Sequence, residues 1–238
     1  MRIAVLGAES TGKSQLAAEL AVELTSAPRG GDKTVALVPE YLREWCAQHG
    51  RPPLRHEQAQ IAQAQVASVN AAGASPLQTV VADTTALMTA VYSELHFKDA
   101  SLYDFAAAHQ RSFDLTLITG LDLPWVADGI QRDGPHTREP TDRLLRRALD
   151  RAALPYRVIY GTGAVRLENA LRAIDSTVDV NAIQCIANYS ISTLANDVFY
   201  PQEKPETGNR ANRPVWAWQC DKCSDPDCER RLFSRLVR

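Results

Sequence analysis

The sequence has little of several features that define large classes of proteins. No apolar stretch in its 238 residues approaches the ~20 residues that a helix needs to cross a bilayer. Lys and Arg (26) nearly balance Asp and Glu (28), and the net charge of −2 indicates neither a nucleic-acid partner nor an anionic membrane surface. Five cysteines, an odd number, argue against a secreted disulfide-built domain. The N-terminal apolar segment has no cleavage region after it, so we expect no signal peptide and a cytoplasmic protein.

What the sequence does have is a phosphate-binding motif at its start. The apolar residues 3–6 lead into Gly7-Ala-Glu-Ser-Thr-Gly-Lys-Ser14, which has the P-loop pattern G-x-x-x-x-G-K-S, and an amphipathic helical segment follows from Gln15. Gly7 and Gly12 allow the backbone N–H groups to turn toward a polyphosphate, and the helix dipole adds positive potential at the same place. We assign this segment to a nucleoside triphosphate, with the Lys13 amine at the phosphates and the Ser14 hydroxyl at Mg²⁺. The nucleotide-binding set is Gly7, Glu9, Ser10, Thr11, Gly12, Lys13, Ser14 and Gln15.

Four further apolar runs alternate with helical stretches along the chain. They are Val35–Pro39, Thr79–Asp83, Leu115–Thr119 and Tyr156–Tyr160, and the clearest helical stretches between and after them are Glu57–Ala72, Thr141–Ala153 and Val165–Ile174. This alternation predicts an α/β fold of the P-loop NTPase type, with a five-stranded parallel sheet covered by helices on both faces. We expect this domain to occupy residues 1–175. Residues 176–238 form a predicted helical and Cys-bearing appendage.

Ligands of open α/β sheets bind beyond the carboxyl ends of the strands, so the residues after each run are the candidates for chemistry. After the second run, Glu40 can orient or deprotonate an acceptor hydroxyl, and Arg43 can meet a phosphate or pair with a carboxylate. The same residues also fit a capped helix start with a surface ion pair. After the third run, Asp83 occupies the usual position of the acid that holds Mg²⁺ through water, although Asp is also a common helix N-cap.

Further candidates lie on the acceptor side and in a lid. Tyr41 and Tyr92 are assigned to the acceptor pocket, although Tyr92 equally fits an ordinary position on a helix surface. Trp125 is assigned to the same pocket, because its flat ring suits stacking on a planar group, but it also fits ordinary core packing. The Gly- and Arg-bearing stretch from Leu123 to Arg138 behaves like a lid that closes over the nucleotide.

Taken together, four segments resemble the ribosylnicotinamide kinase domain of NadR-type proteins, a branch of the P-loop nucleoside kinases. The resemblance spans residues 1 to about 175 and lies in the segments G-A-E-S-T-G-K-S (residues 7–14), V-P-E-Y-L-R-E-W (38–45), A-D-T-T-A-L-M-T (82–89) and L-P-W-V-A-D-G (123–129). It implies transfer of the γ-phosphoryl group of ATP to the 5′-hydroxyl of nicotinamide riboside.

The resemblance also implies roles for individual residues. Asp83 would lie at the metal and the reacting hydroxyl, and Trp125 would stack near the nicotinamide. Asp128 would contact the ribose, and Arg132 would belong to the lid. The family's adenylyltransferase domain is not expected, because the P-loop strand begins at Met1. The Cys-bearing tail is also outside the pattern of the family.

That tail contains Cys220, Cys223 and Cys228, the first two in a C-x-x-C pair. The spacing fits a structural Zn²⁺, whose sites usually have four ligands, and the fourth would be Cys185, a distant His or a carboxylate such as Asp227. Reduced thiols in a loop, or a redox or iron–sulfur role, fit the same pattern.

The sequence therefore predicts an ATP- and Mg²⁺-dependent nucleoside kinase, with Lys13, Asp83, Glu40 and Arg132 as its catalytic residues. Phosphorylation of another nucleoside or small alcohol is an alternative, and so is a nucleotide-sensing ATPase module. The choice between ATP and GTP, and between Glu40 and Asp83 as base, stays open at this point.

Overall fold

The computed structural model describes residues 1–26, 34–75, 78–126 and 134–177. These residues all lie in one compact unit, residues 1–191, and the second unit, residues 192–238, lies outside the described part. The predicted appendage at 176–238, with its three clustered cysteines, therefore falls almost wholly outside the description. In the described ranges, no helix is long and apolar enough to cross a membrane.

Five strands and seven α-helices follow one another along the described residues. The strands are β1 (Arg2–Leu6), β2 (Val35–Val38), β3 (Thr79–Asp83), β4 (Leu115–Thr119) and β5 (Arg157–Ile159). The helices are α1 (Lys13–Ser26), α2 (Tyr41–His49), α3 (Gln58–Ala72), α4 (Ala86–Phe97), α5 (Tyr103–Gln110), α6 (Arg138–Arg151) and α7 (163–177). All five apolar runs of the sequence are confirmed as strands, each within two residues of its predicted ends.

The strands form one parallel sheet in the order β2-β3-β1-β4-β5. The central strand β1 pairs on one side with β3, where Val5 lies opposite Asp83. On its other side it pairs with β4, where Leu6 lies opposite Ile118. The carboxyl ends of β3, β1 and β4 are therefore neighbours, and this edge collects the loops that follow all three strands.

Both faces of the three central strands, β1, β3 and β4, are buried, which explains why these strands are continuous apolar runs. Alternate residues of β1 point to opposite faces: Ile3 and Val5 pack with α1 and α7, whereas Ala4 and Leu6 pack with α3, α4, α5 and α6. Each fully buried Leu or Ile contributes roughly 1.5–3 kcal/mol relative to an exposed side chain. The predicted fold, a five-stranded parallel sheet between two helical layers, is confirmed for the described residues.

Candidate functional site

The P-loop follows β1 and has the backbone that its glycines predict. Gly7 and Gly12 have φ angles of +144° and +75°, and Ser10 between them has a φ angle of +55°. Helix α1 begins at Lys13, and the N–H of Leu16 donates to the carbonyl of Gly12 over 3.0 Å. The loop thus passes directly into a helix N-terminus, where unpaired N–H groups and the helix dipole favour anions.

The base of the loop is held by the end of β4. The hydroxyl of Thr119 lies 2.6 Å from that of Thr11, which in turn donates to the carbonyl of Ala8 over 2.7 Å. A Cβ atom on Gly7 would overlap Thr119 Oγ1 and lie 3.1 Å from its carbonyl oxygen. Gly7 is therefore needed for close approach to β4 as well as for its backbone angle.

Lys13 is buried at the centre of the site. Its amine donates to the carbonyl of Ala8 over 2.8 Å, and only 5% of its surface is exposed. Burial lowers the pKa of Lys13, and the nearby carboxylates of Glu40, Asp83 and Glu9 oppose that shift. A lysine among carboxylates at a helix N-terminus is placed to meet the phosphates of a nucleotide.

Asp83 is the last residue of β3 and faces Ser14 of the P-loop. It is 5% exposed and lines the same cavity as Ser14. Burial raises the pKa of Asp83, and the Ser14 hydroxyl and Lys13 oppose that shift. The alternative role as a helix N-cap is wrong, because the hydroxyl of Thr85 caps α4 by accepting from the N–H of Leu87 over 3.2 Å.

Thr84 lies between Asp83, the candidate magnesium ligand, and Thr85, the N-cap of α4. Its φ angle of +68° is one that β-branched residues rarely adopt, and its N–H donates to the carbonyl of Val5 over 3.1 Å. The turn lets Asp83 face the P-loop while Thr85 starts the next helix. Unusual backbone angles of this kind cluster at functional sites.

A cavity of about 340 Å³ opens beside Ser14 and Asp83. Its lining is completed by the segment after β2, namely Leu37, Pro39, Glu40, Arg43 and Glu44. Glu40 is 8% exposed and accepts from Arg43 Nε over 2.8 Å. Glu40 also precedes the first residue of α2, but its side chain makes no cap hydrogen bond. The helix start and the ion pair expected from the sequence are thus both present, but the carboxylate is buried at the cavity and does not lie on the surface.

The two predicted tyrosines lie in different surroundings. Burial raises the pKa of Tyr92 well above its ordinary value, and Glu40, Glu9 and Asp83 raise it further. Tyr41 packs against the cluster of Trp45, Cys46 and Ile61. The assignment of both tyrosines to the acceptor pocket stays a prediction.

The segment after β4 touches the tip of the P-loop. The Ser10 hydroxyl accepts from the N–H of Val126 over 2.7 Å and donates to its carbonyl over 3.2 Å. The neighbouring Trp125 is half-buried, and within the described ranges no acceptor meets its buried Nε1. Asp128 and Arg132, predicted for the ribose and the lid, lie outside the described residues, as do Cys220, Cys223 and Cys228.

Sequence reasoning missed two residues of this region, Thr119 and Arg166, and it assigned Arg138 only to the end of the lid stretch. Arg138 is 9% exposed and donates to the carbonyl of Leu121 over 3.3 Å, and Arg166 is 4% exposed beside the P-loop. The rule that strand ends carry ligands, applied also to β5, points to the loop that Arg166 follows.

The residues present fit a magnesium ion. Asp83 Oδ1 is buried and has no hydrogen-bond partner among the residues described, and the Ser14 hydroxyl is next to the same carboxylate. No group of three or more His, Cys, Asp or Glu in those ranges is placed to hold a metal. Mg²⁺ usually keeps several waters and needs only one or two carboxylates, so Ser14 and Asp83 are a sufficient protein contribution.

Comparison with known proteins agrees with the geometry. A family model described as an AAA domain matches residues 2–166, well over half of the chain. No curated protein matches this chain. Among solved structures, a NadR protein in complex with NR is 20% identical with a TM-score of 0.60, over 74% of this chain and 50% of that chain. The present chain thus spans half the length of that relative, and the likeness shows a common fold.

Two further solved structures are similar over the same share of this chain. Deoxyadenosine kinase from M. mycoides with bound dCTP is 15% identical with a TM-score of 0.48, over 74% of this chain and 100% of that one. Shikimate kinase from Acinetobacter baumannii in complex with shikimate is 13% identical with a TM-score of 0.37, over 74% and 93%.

Proposed function

This chain belongs to the AAA domain family, and from that premise we propose that it is an ATP- and Mg²⁺-dependent nucleoside kinase that phosphorylates the 5′-hydroxyl of nicotinamide riboside. The observation that carries the proposal is the grouping of Lys13, Asp83 and Glu40, all buried, around the P-loop and one cavity. The domain at residues 1–175 would hold the whole site, and residues 176–238 would be an appendage to it.

On the nucleotide side, the P-loop N–H groups and the Lys13 amine would bind the phosphates. Lys13 would leave the Ala8 carbonyl for the phosphates, and Thr11 would still donate to that carbonyl. Ser14 and Asp83 would hold Mg²⁺, which when bound neutralises charge on the phosphates. Little covalent chemistry is required of the protein, because positioning and electrostatic stabilisation supply most of the rate in phosphoryl transfer.

On the acceptor side, Glu40 would receive the hydroxyl. Its carboxylate lines the cavity near Asp83 and is fixed by the 2.8 Å bond to Arg43. With Asp83 assigned to the metal, Glu40 is the better candidate to orient the hydroxyl or take its proton. Arg132, which lies outside the described residues, stays a prediction for the lid.

The charge of the site supports a cationic acceptor. Three buried carboxylates (Glu9, Glu40 and Asp83) act on the same site as two cations (Lys13 and Arg43), and a triphosphate with its Mg²⁺ would add further net negative charge. An anionic acceptor would meet repulsion here, whereas the pyridinium ring of nicotinamide riboside would be attracted. The half-buried Trp125 offers a flat face for that ring.

The test measures ADP release from ATP and Mg²⁺ with a panel of acceptors, followed by mass spectrometry of each acceptor. The sharpest pair is nicotinamide riboside and its reduced, uncharged dihydro form, which have almost the same shape. We expect a gain of one phosphate on the cationic form at the higher kcat/KM. Equal turnover of both forms would remove the charge argument, and turnover of another nucleoside alone would replace the substrate. Absence of acceptor-dependent turnover would favour a nucleotide-sensing module.

A further inference from the structure

Arg166 is a buried cation that the proposed mechanism does not use. It lies in the first turns of α7, just after the loop that follows β5, and its side chain is 5% exposed. The guanidinium faces the carboxyl ends of β4 and β5, since Asp122 and the carbonyl of Ile159 lie near its Nη2. Buried arginines usually have several strong hydrogen bonds, because an unpaired buried charge is costly.

The pairing of Arg166 within the described residues is weak. Its Nη2 lies 3.5 Å from Asp122 Oδ1 and 3.5 Å from the carbonyl of Ile159, both at the limit of a hydrogen bond. Its Nε and Nη1 are buried and have no partner in the described ranges. Burial lowers the pKa of Arg166, and the carboxylate of Asp122 only partly opposes that shift. Two of its three nitrogens thus have no hydrogen-bond partner among the described residues.

Those nitrogens are next to the phosphate-binding backbone. A Cβ atom on Gly12 would lie 3.1 Å from Arg166 Nη1 and 3.1 Å from Leu123 Cδ1. Gly12 has no side chain, so the guanidinium lies directly against the loop, on the residue that precedes Lys13. The N–H groups of this part of a P-loop bind the α- and β-phosphates.

We propose that Arg166 is a nucleotide-binding residue that contacts the α- or β-phosphate of the bound nucleoside polyphosphate from the β5 side of the P-loop. The inference rests on the proposed function in so far as the P-loop binds a nucleotide. Lys13 reaches the β- and γ-phosphates, so the two cations would divide the chain of phosphates between them. Arg166 would therefore affect ADP as strongly as ATP.

Asp122 is the carboxylate that Arg166 would leave when the nucleotide binds. Its Oδ2 accepts from the N–H of Gly161 over 2.6 Å, so the carboxylate joins the loops after β4 and β5 as well as facing the guanidinium. Asp122→Asn keeps an oxygen for the Gly161 bond but removes the negative charge. This variant separates the two roles: a purely structural Arg166–Asp122 pair requires both charges, whereas a phosphate contact requires only the arginine.

The test is isothermal titration calorimetry of the full chain with ATP, ADP and adenosine. For Arg166→Gln we expect Kd for ATP and for ADP to rise by similar factors of about ten to a hundred, the value of a charge-assisted hydrogen bond, with adenosine unchanged. Asp122→Asn should bind ATP as tightly as the wild type or a few-fold more tightly, because its arginine is released. Arg157→Gln, at the exposed start of β5, is the control for loss of one positive charge.

The outcomes are distinguishable. If the wild type does not bind ATP, the proposed function fails; if it binds and Arg166→Gln binds ATP equally well, only the present inference fails. Equal losses in Arg166→Gln and Asp122→Asn would show a structural ion pair and overturn it. Should Arg166→Gln not fold, Arg166→Lys replaces it, because lysine keeps the positive charge but lacks the two-pronged guanidinium. A smaller loss of affinity that is equal for ATP and ADP, with kcat within about threefold of the wild type, supports the phosphate contact. A loss confined to kcat would contradict it.

Discussion

The hydroxyl groups of Thr119 and Thr11 lie 2.6 Å apart, so the end of β4 is bonded directly to the P-loop. Either hydroxyl can donate in this short bond, because Thr11 also lies 2.7 Å from the carbonyl of Ala8 and Thr119 lies 3.2 Å from that of Leu6. We expect Thr119→Val to lower the free energy of unfolding by about 1–2 kcal/mol, because it removes one hydroxyl of this buried pair, and to raise Kd for ATP. Chemical denaturation and calorimetry measure the two effects. Thr119→Ser keeps the hydroxyl and should lie near the wild type.

Gly7→Ala should be far more damaging than an alanine at another glycine with positive φ. The new methyl group would overlap Thr119 Oγ1 at a φ of +144°, so the loop has to move and ATP binding should be lost. Gly50→Ala is the matched control, because its φ is +63° and a Cβ there meets nothing within 4 Å. It should cost only about 1–2 kcal/mol of backbone strain. Similar melting temperatures for the two variants would contradict this account of Gly7.

Lys13→Met should separate activity from stability. Removal of the buried amine leaves the Ala8 carbonyl bonded to Thr11, and it removes a charge whose burial is unfavourable. We expect a melting temperature equal to or above that of the wild type, with turnover lower by about a thousandfold or more. Thermal unfolding and ADP release measure the two quantities. Near-full activity would show that the P-loop assignment is wrong.

Trp125→Leu should affect the acceptor and not the nucleotide. Leucine keeps apolar contact but removes the flat face, so KM for a planar cationic nucleoside should rise by about tenfold, in line with the 1–2 kcal/mol of stacking and cation–π contact. KM for ATP should stay within about twofold. Steady-state kinetics with each substrate varied in turn tests this. Equal changes in both KM values would show that Trp125 supports the conformation of the loop, which the bond between Val126 and Ser10 joins to the P-loop.

The stability of the α2–α3 corner should depend on acid pH through Glu57. Its carboxylate accepts from both Nη atoms of Arg51 over 2.8 and 2.7 Å and from the N–H of Leu54 over 2.7 Å. These bonds lower the pKa of Glu57 from 4.5 to about 2. A lowered folded-state pKa stabilises the fold above pH 4.5, and that contribution is lost as the pH falls toward 2.

The measurement is urea denaturation of the wild type and Glu57→Gln at pH 6 and pH 3. The difference in unfolding free energy between them should be larger at pH 6. Glu168→Gln is the control, because its ion pair with Arg172 is mainly exposed, at 59% and 72%, and exposed pairs contribute little. A Glu57 difference that is independent of pH would contradict the prediction.

The strands and the P-loop could be predicted from the sequence because both are local patterns. Asp83 was found by its position at the end of an apolar run, and the structure places it beside Ser14. The sequence does not indicate where helix α4 begins and ends. Its residues from Ala86 to Val91 are all buried, so apolar and polar residues do not recur there with the spacing of a helix that has one exposed face.

Contacts between distant strands could not be predicted in the same way. The parallel sheet was expected, but its order was not, so the approach of Thr119 to Gly7 had no signal in either segment. The same holds for Arg166, which reaches the P-loop only because α7 packs on the same face of the sheet as α1. The turn at Thr84 is set by its surroundings against the preference of a β-branched residue.

The two hydrogen bonds between the Ser10 hydroxyl and Val126 use only the backbone N–H and carbonyl of Val126. Val126 is 61% exposed, and its side chain is not needed for these bonds. Position 126 is therefore suitable for an environment-sensitive fluorescent amino acid. A label there would be next to Trp125 in the chain, and two backbone hydrogen bonds would still join its residue to the P-loop. One label could then follow the arrival of both substrates in real time.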